Sequence, residues 1–82
     1  MIQFAKSKSG HDKDQIFYIV REEEDFVYLA DGVHRSCTSP KKKNRKHIQI
    51  IKDLPAEVTR VFQQEPIEDV KIKRALKLYT HM

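Results

Sequence analysis

Eighty-two residues leave room for one small domain and no second core, which excludes most multi-domain enzymes. The chain is 39% hydrophobic and 34% charged, with 16 Lys and Arg against 12 Asp and Glu, so a globular fold with a net charge of +4 is expected. The single cysteine, Cys37, rules out an internal disulfide and points to a reducing, cytoplasmic setting.

Met1 to Ala5 is too short and too mixed for the apolar region of a signal peptide, and Lys6 follows at once. From there to about Ile51, β-branched and aromatic residues cluster in short runs between Gly, Asp, Ser and Lys, which predicts four or five strands. The first spans roughly Ile2 to Lys8 and leads into the turn-rich Ser9-Gly10-His11-Asp12-Lys13-Asp14. The second, Ile16 to Arg21, is apolar on both faces and is expected to be the most buried element. Its core, Ile16 to Val20, is an uninterrupted apolar run far short of the roughly 20 residues of a membrane helix, and no other run is longer, so no membrane crossing is expected. The acidic run Glu22-Glu23-Glu24-Asp25 reads as a solvated connection to a third strand, Phe26 to Ala30. Asp31-Gly32 then predicts a tight hairpin, with Val33 to Thr38 returning and Ser39-Pro40 ending the return strand. The last strand is placed at His47 to Ile51.

After Lys52 the period changes. Leu54, Val58, Val61 and Phe62 form one helical stripe, with Asp53 as a cap and Pro55 opening the helix. A second helix begins near Pro66. Its stripe is Ile72, Ala75, Leu76 and Tyr79, with Lys71, Lys73, Arg74 and Lys77 mostly off it. Glu65, Glu68 and Asp69 sit in its first turn, as the helix dipole favours. The division expected is a mainly β unit over residues 1–52 and a helical extension over 53–82, packed on the β unit or flanking it.

Few residues suggest catalysis. Asp31, His34 and Cys37 superficially resemble an orienter, base and nucleophile, but on a strand His34 and Cys37 would face opposite ways, and no glycine-rich elbow or helix N-terminus is there to activate the thiol. Cys37 reads instead as a small filler in or near the core. His11, His34, His47 and His81 show no ligand spacing, so no structural metal is expected. With only Gly10 and Gly32, no Walker or dinucleotide fingerprint can be written. The chain is therefore expected to be a non-enzyme without cofactor, metal or small-molecule substrate.

What remains is charge placement. Residues 1–34 carry four basic and seven acidic side chains, and residues 53–82 carry five of each. Between Arg35 and Lys52 there are seven basic residues and no acidic one, centred on Pro40-Lys41-Lys42-Lys43-Asn44-Arg45-Lys46-His47. Such a run could be only a solvated loop. Its ends, however, are held by predicted strands, and an unopposed cluster of this density gains affinity for phosphates by releasing counterions, with Asn44 and His47 adding hydrogen bonds or stacking.

The order of these pieces is itself informative. Ser7-Lys8-Ser9-Gly10-His11-Asp12-Lys13, Phe17 to Val20, Leu29-Ala30-Asp31-Gly32, then Arg35 leading to Pro40-Lys41-Lys42-Lys43-Asn44 and Lys46-His47, together resemble the KOW-domain RNA-binding proteins. More narrowly, they are similar to a small bacterial group that itself resembles a KOW-type large-subunit ribosomal protein of archaea and eukaryotes. The resemblance covers about residues 3 to 50, and Ala75-Leu76-Lys77 is similar to the helical extension of the bacterial members. It implies a small SH3-like β-barrel of the KOW type followed by two short helices, binding structured RNA. Ribosomal RNA would be the leading partner, in translation or ribosome assembly.

Carried over by position, the resemblance points to Lys8, Gly10 and Lys13 in the first loop, and to Arg35, Lys41, Lys42, Lys43, Asn44, Lys46 and His47 in the second region. Arg45 joins them as part of the basic run. At one position the sequence departs from the family, which usually has glycine after the Asp-Lys pair where this chain has Asp14. A carboxylate there disfavours close phosphate approach. The competing expectation is a protein-interaction module that uses the helical tail or the acidic run at residues 22–25. It would leave the apolar stripes of the helices uncovered. A DNA-binding role is weaker still, because neither predicted helix combines a basic face with a clean base-reading pattern.

Overall fold

The computed structural model describes residues 2–63 and 66–81. Its β part has strands β1 (Phe4–Ser7), β2 (Ile16–Glu22), β3 (Phe26–Ala30), β4 (Lys41–Asn44) and β5 (Ile48–Ile51). All belong to one antiparallel sheet of order β4-β3-β2-β1-β5. A single 3-10 turn, Arg45–His47, joins β4 to β5, and the Asn44 side chain caps it by accepting from the Lys46 N–H. The helical part is a short α1 (Ala56–Thr59), a 3-10 turn over Arg60–Phe62, and α2 (Asp69–Thr80). The fold is thus mainly β with C-terminal helices.

Strand alternation sorts the apolar side chains into two cores. Ala5, Phe17, Ile19, Val27, Leu29 and Ile48 gather on one face of the sheet. Phe4, Tyr18 and Ala30 gather on the other, in register across β1, β2 and β3. This is why Ile16 to Val20 is apolar throughout: both faces of β2 are covered. A register shift between Ile19 and Arg21 interrupts the β2–β3 ladder.

The cover on the second face is the tail. Val58, Phe62, Ile72, Ala75 and Leu76 are all buried with Phe4 and Tyr18. Tyr18 stacks on Phe62 at 5.2 Å, and the Tyr79 ring meets Phe4 edge-on at 5.5 Å. Aromatic pairs of this kind add about 0.5–1.5 kcal/mol each beyond the area they bury. The apolar stripes predicted for both helices are therefore used inside the molecule.

Three local expectations need correction. The expected hairpin at Asp31-Gly32 does not form, and residues 33–38 are not a strand. One oxygen of the Asp31 carboxylate, Oδ1, accepts the N–H groups of Val33, His34 and Arg35 at 2.8, 2.8 and 2.9 Å, so these donors fold back instead of pairing with β3. The partner of β3 is β4, whose lysines look unlike a strand by composition. Asp53 does not cap α1, since Pro55 takes the N-cap position without a side-chain hydrogen bond. α2 starts at Asp69 with Glu68 as its N-cap, later than Pro66 suggested. Glu65, expected in its first turn, lies outside the described residues.

The departure at Asp14 also has a structural counterpart. Asp14 is the only described residue other than glycine with a positive φ, at +73°. It closes the loop after β1, with its N–H donating to Ser7 O at 2.8 Å. Glycine would meet this conformation without the cost a side chain bears there. Asp14→Gly is expected to stabilise the fold by about 0.5–1 kcal/mol in urea denaturation; a loss of stability would mean that the Asp14 side chain itself holds the loop.

Candidate nucleic-acid interface

The basic run at residues 40–47 does not form one surface, because β4 alternates. The pairing Val27↔Lys43 and Leu29↔Lys41 puts Lys41 and Lys43 on the same face as the buried Val27 and Leu29. There the ammonium of Lys43 donates to Asp12 Oδ1 at 2.6 Å, Ser7 Oγ at 2.7 Å and Ser9 O at 2.9 Å. Lys41 donates to Asp12 Oδ2 at 2.8 Å, and Ser7 Oγ donates to Asp12 Oδ1 at 2.7 Å. Asp12 and Lys43 each expose only 10% of their side chains, and Lys41 exposes 33%. Burial alone would raise the Asp12 carboxyl, but the hydrogen bonds from Lys41, Lys43 and Ser7 outweigh it and hold the group well below the ordinary carboxylate range. The network ties β4 to the end of β1 and the loop that follows.

The remaining residues of the run divide further. Lys42 points the other way, with its ammonium 4.2 Å from the centre of the Phe26 ring. Arg45 leans toward the acidic run, 3.4 Å from Glu22 Oε2 and from Glu23 O, and its N–H donates to Asp25 O. Asn44 is occupied as the cap of the 3-10 turn. Lys46 and His47 are exposed.

The sheet register brings the loops after β1 and β3 to one end, and the 3-10 turn reaches the first of them. Ser7 pairs with Ile48, and the Lys8 N–H donates to His47 O at 2.7 Å, so the first loop adjoins the 3-10 turn. Lys8, Lys13, Arg35 and Lys46 are exposed, and none has a side-chain ion pair among the described residues. Gly10, exposed at φ +87°, allows the loop between Lys8 and Lys13 to turn back over Asp12 and Lys43. Beside it is a depression of about 210 Å³ whose lining includes His11, Gln15, His34, Arg35 and Lys41. Neither His11 nor His34 is marked as a binding residue by the sequence. Their placement side by side follows from the antiparallel ladder, which brings the loops after β1 and β3 together.

The loop after β3 is held from two sides. Asp31 gathers three backbone donors, whose hydrogen bonds outweigh burial and lower its carboxyl. Asp69, in the first turn of α2, accepts from Ser36 Oγ at 2.6 Å and from the Cys37 N–H at 2.7 Å. Gly32 lies against the same turn at φ +80°, where a Cβ would come within 2.3 Å of Asp69 O and 2.9 Å of Lys73 N. Cys37 packs against the helix-covered core. Burial first, then Asp69, push its thiol up and away from the reactive thiolate. His34 instead lines the depression, so the two do not form a pair.

Among the described residues no group of three or more His, Cys, Asp or Glu side chains is placed to hold a metal ion, and no helix is long and apolar enough to cross a membrane. No protein-family model matches the chain, and no curated protein matches it either.

Proposed function

We propose that this chain is a non-catalytic RNA-binding domain, with ribosomal RNA as its leading partner, acting in the cytoplasm in translation or ribosome assembly. We read the strand order, with β4 passing to β5 through a 3-10 turn, as an SH3-like barrel of the KOW type. The observation that carries the functional reading is electrostatic. Lys8, Lys13 and Arg35 lie on the loops after β1 and β3, and Lys46 on the 3-10 turn that adjoins the first of these loops, all without ion-pair partners among the described residues, while Asp12 and Asp31 of the same loops are satisfied internally. A surface of this kind binds phosphates by releasing counterions, and the ordered loops reduce the entropy lost on contact. His11, His34 and His47 supply rings for stacking and hydrogen bonds to unpaired bases. Lys41 and Lys43 act in this reading mainly as scaffold.

The test is the salt dependence of binding to a labelled RNA hairpin. Lys8→Ala/Lys13→Ala/Lys46→Ala is expected to flatten the slope of log affinity against log salt by about 2, taking roughly 0.7 per lost phosphate contact. An unchanged slope would remove this end of the sheet from the binding surface.

A further inference from the structure

The tail is charge-neutral in sequence, but its folding separates its charges. In α2 the residues Ile72, Ala75 and Leu76 are buried. At 100° per residue, Val70, Lys73, Arg74 and Lys77 fall on the opposite side, and all four are exposed. The one acidic residue of α2, Asp69, is turned to the loop after β3 by its bonds to Ser36 and Cys37. The outward face of α2 therefore carries three cations and no carboxylate of its own; the acid beside it is Glu57 of α1, which lines the adjoining depressions with Arg74 and Lys77.

This arrangement is unfavourable for the isolated helix. Lys73 and Lys77 stand at i, i+4 and Arg74 and Lys77 at i, i+3, where like charges repel and where a merely solubilising face would alternate signs. The helix dipole accounts for Lys77 in the last turn but not for Lys73 or Arg74 near the middle. The face is also not remote from the basic end of the sheet. Lys73 lies directly over Gly32, three residues before the exposed Arg35. The contact that docks α2 thus joins its cations to those of the loop after β3.

We infer that α2 forms the second half of the polyanion surface, with Lys73, Arg74 and Lys77 contacting the phosphate backbone of the same RNA that the sheet end grips. The inference rests on the RNA-binding reading. It extends that reading from one loop cluster to a surface built jointly by the β part and the tail, and it gives the tail a role besides covering Phe4 and Tyr18.

The experiment compares two triple variants and their combination in the full chain, using one fluorescein-labelled RNA hairpin and, separately, poly-aspartate. Because the substituted side chains are exposed, urea midpoints close to that of the parent are expected, and they verify folding. Lys73→Ala/Arg74→Ala/Lys77→Ala is expected to lower the salt slope by about 2, as Lys8→Ala/Lys13→Ala/Lys46→Ala does, with the combined variant losing the sum. If only the sheet-end variant changes the slope, α2 is a solvated face and the inference fails while the RNA reading stands. If neither does, the RNA reading fails with it. If the α2 variant keeps RNA binding but loses poly-aspartate binding, the face serves an acidic protein segment and the inference is overturned.

Discussion

Lys43→Met is expected to cost about 3–5 kcal/mol, a large fraction of the stability of a domain this small. The substitution keeps the length of the side chain but removes the ammonium that bonds Asp12, Ser7 and Ser9. Asp12 then stays largely buried with Lys41 as its only cationic partner. Asp12→Asn should also destabilise, by leaving the Lys43 charge without its carboxylate. The double variant should lose less than the sum of the two, since neither charge is then stranded. Urea denaturation of the four proteins measures this directly. A loss below about 1 kcal/mol for Lys43→Met would mean that Lys43 swings into solvent and the bridge behaves as a surface pair.

The same network sets an acid dependence. The Asp12 carboxyl is lowered in the folded chain, so its contribution is fully present above the unfolded value of about 3.9 and is lost as pH falls toward the folded value. Below about pH 4 the unfolded chain takes up a proton that the folded chain refuses, and stability drops. The drop should be smaller in Lys43→Met. It should not vanish, because the carboxyls of Asp31 and Asp69 are lowered as well, Asp31 by backbone hydrogen bonds acting against burial and Asp69 chiefly by Ser36.

Gly32→Ala is expected to cost about 2–5 kcal/mol, the sum of a left-handed backbone penalty and overpacking against a helix. The added carbon would meet Asp69 O and Lys73 N, backbone atoms that move only if α2 moves. Gly10→Ala is the natural control. Its φ is similarly positive, at +87°, but the nearest atoms are the side-chain Asp12 Oδ1 at 3.6 Å and Lys43 Nζ at 3.8 Å. Only the backbone penalty of about 1–2 kcal/mol applies there. Equal losses at the two glycines would show that α2 does not press on the loop after β3.

These two predictions fall on residues whose roles were not readable from sequence. Asp31-Gly32 has the form of a hairpin turn, and local chemistry alone favours that reading. The Asp31 carboxylate and the close approach of α2, 37 residues on to Asp69, give the pair a different task. Lys43 sits in the middle of a run that reads as uniformly cationic. Nothing local tells that every second side chain points inward, since that depends on β4 pairing with Val27 and Leu29. A buried carboxylate requires a cation from elsewhere in the chain, but the loop carries Asp14 as well as Asp12, and nothing local tells which of the two is buried.

Other features were legible because their signals are local and repeated. β2 and β3 follow from runs of β-branched and aromatic residues, and β3 matches its expected limits of Phe26 and Ala30. The helical stripe of Ile72, Ala75 and Leu76 follows from a period that only a helix can bury on one side. The sequence by itself thus determined that a part made of short strands precedes two helices, and it determined the strip of positive charge from Arg35 to Lys52, but not the position of β4. Tertiary structure alone decided which cations are free. Strand alternation fixes that Lys41 and Lys43 share a face, but the pairing of β4 with β3 and the return of Asp12 over it decide that this face is the inner one. The same folding turned a neutral tail into a helix with an apolar side against the sheet and a cationic side toward solvent.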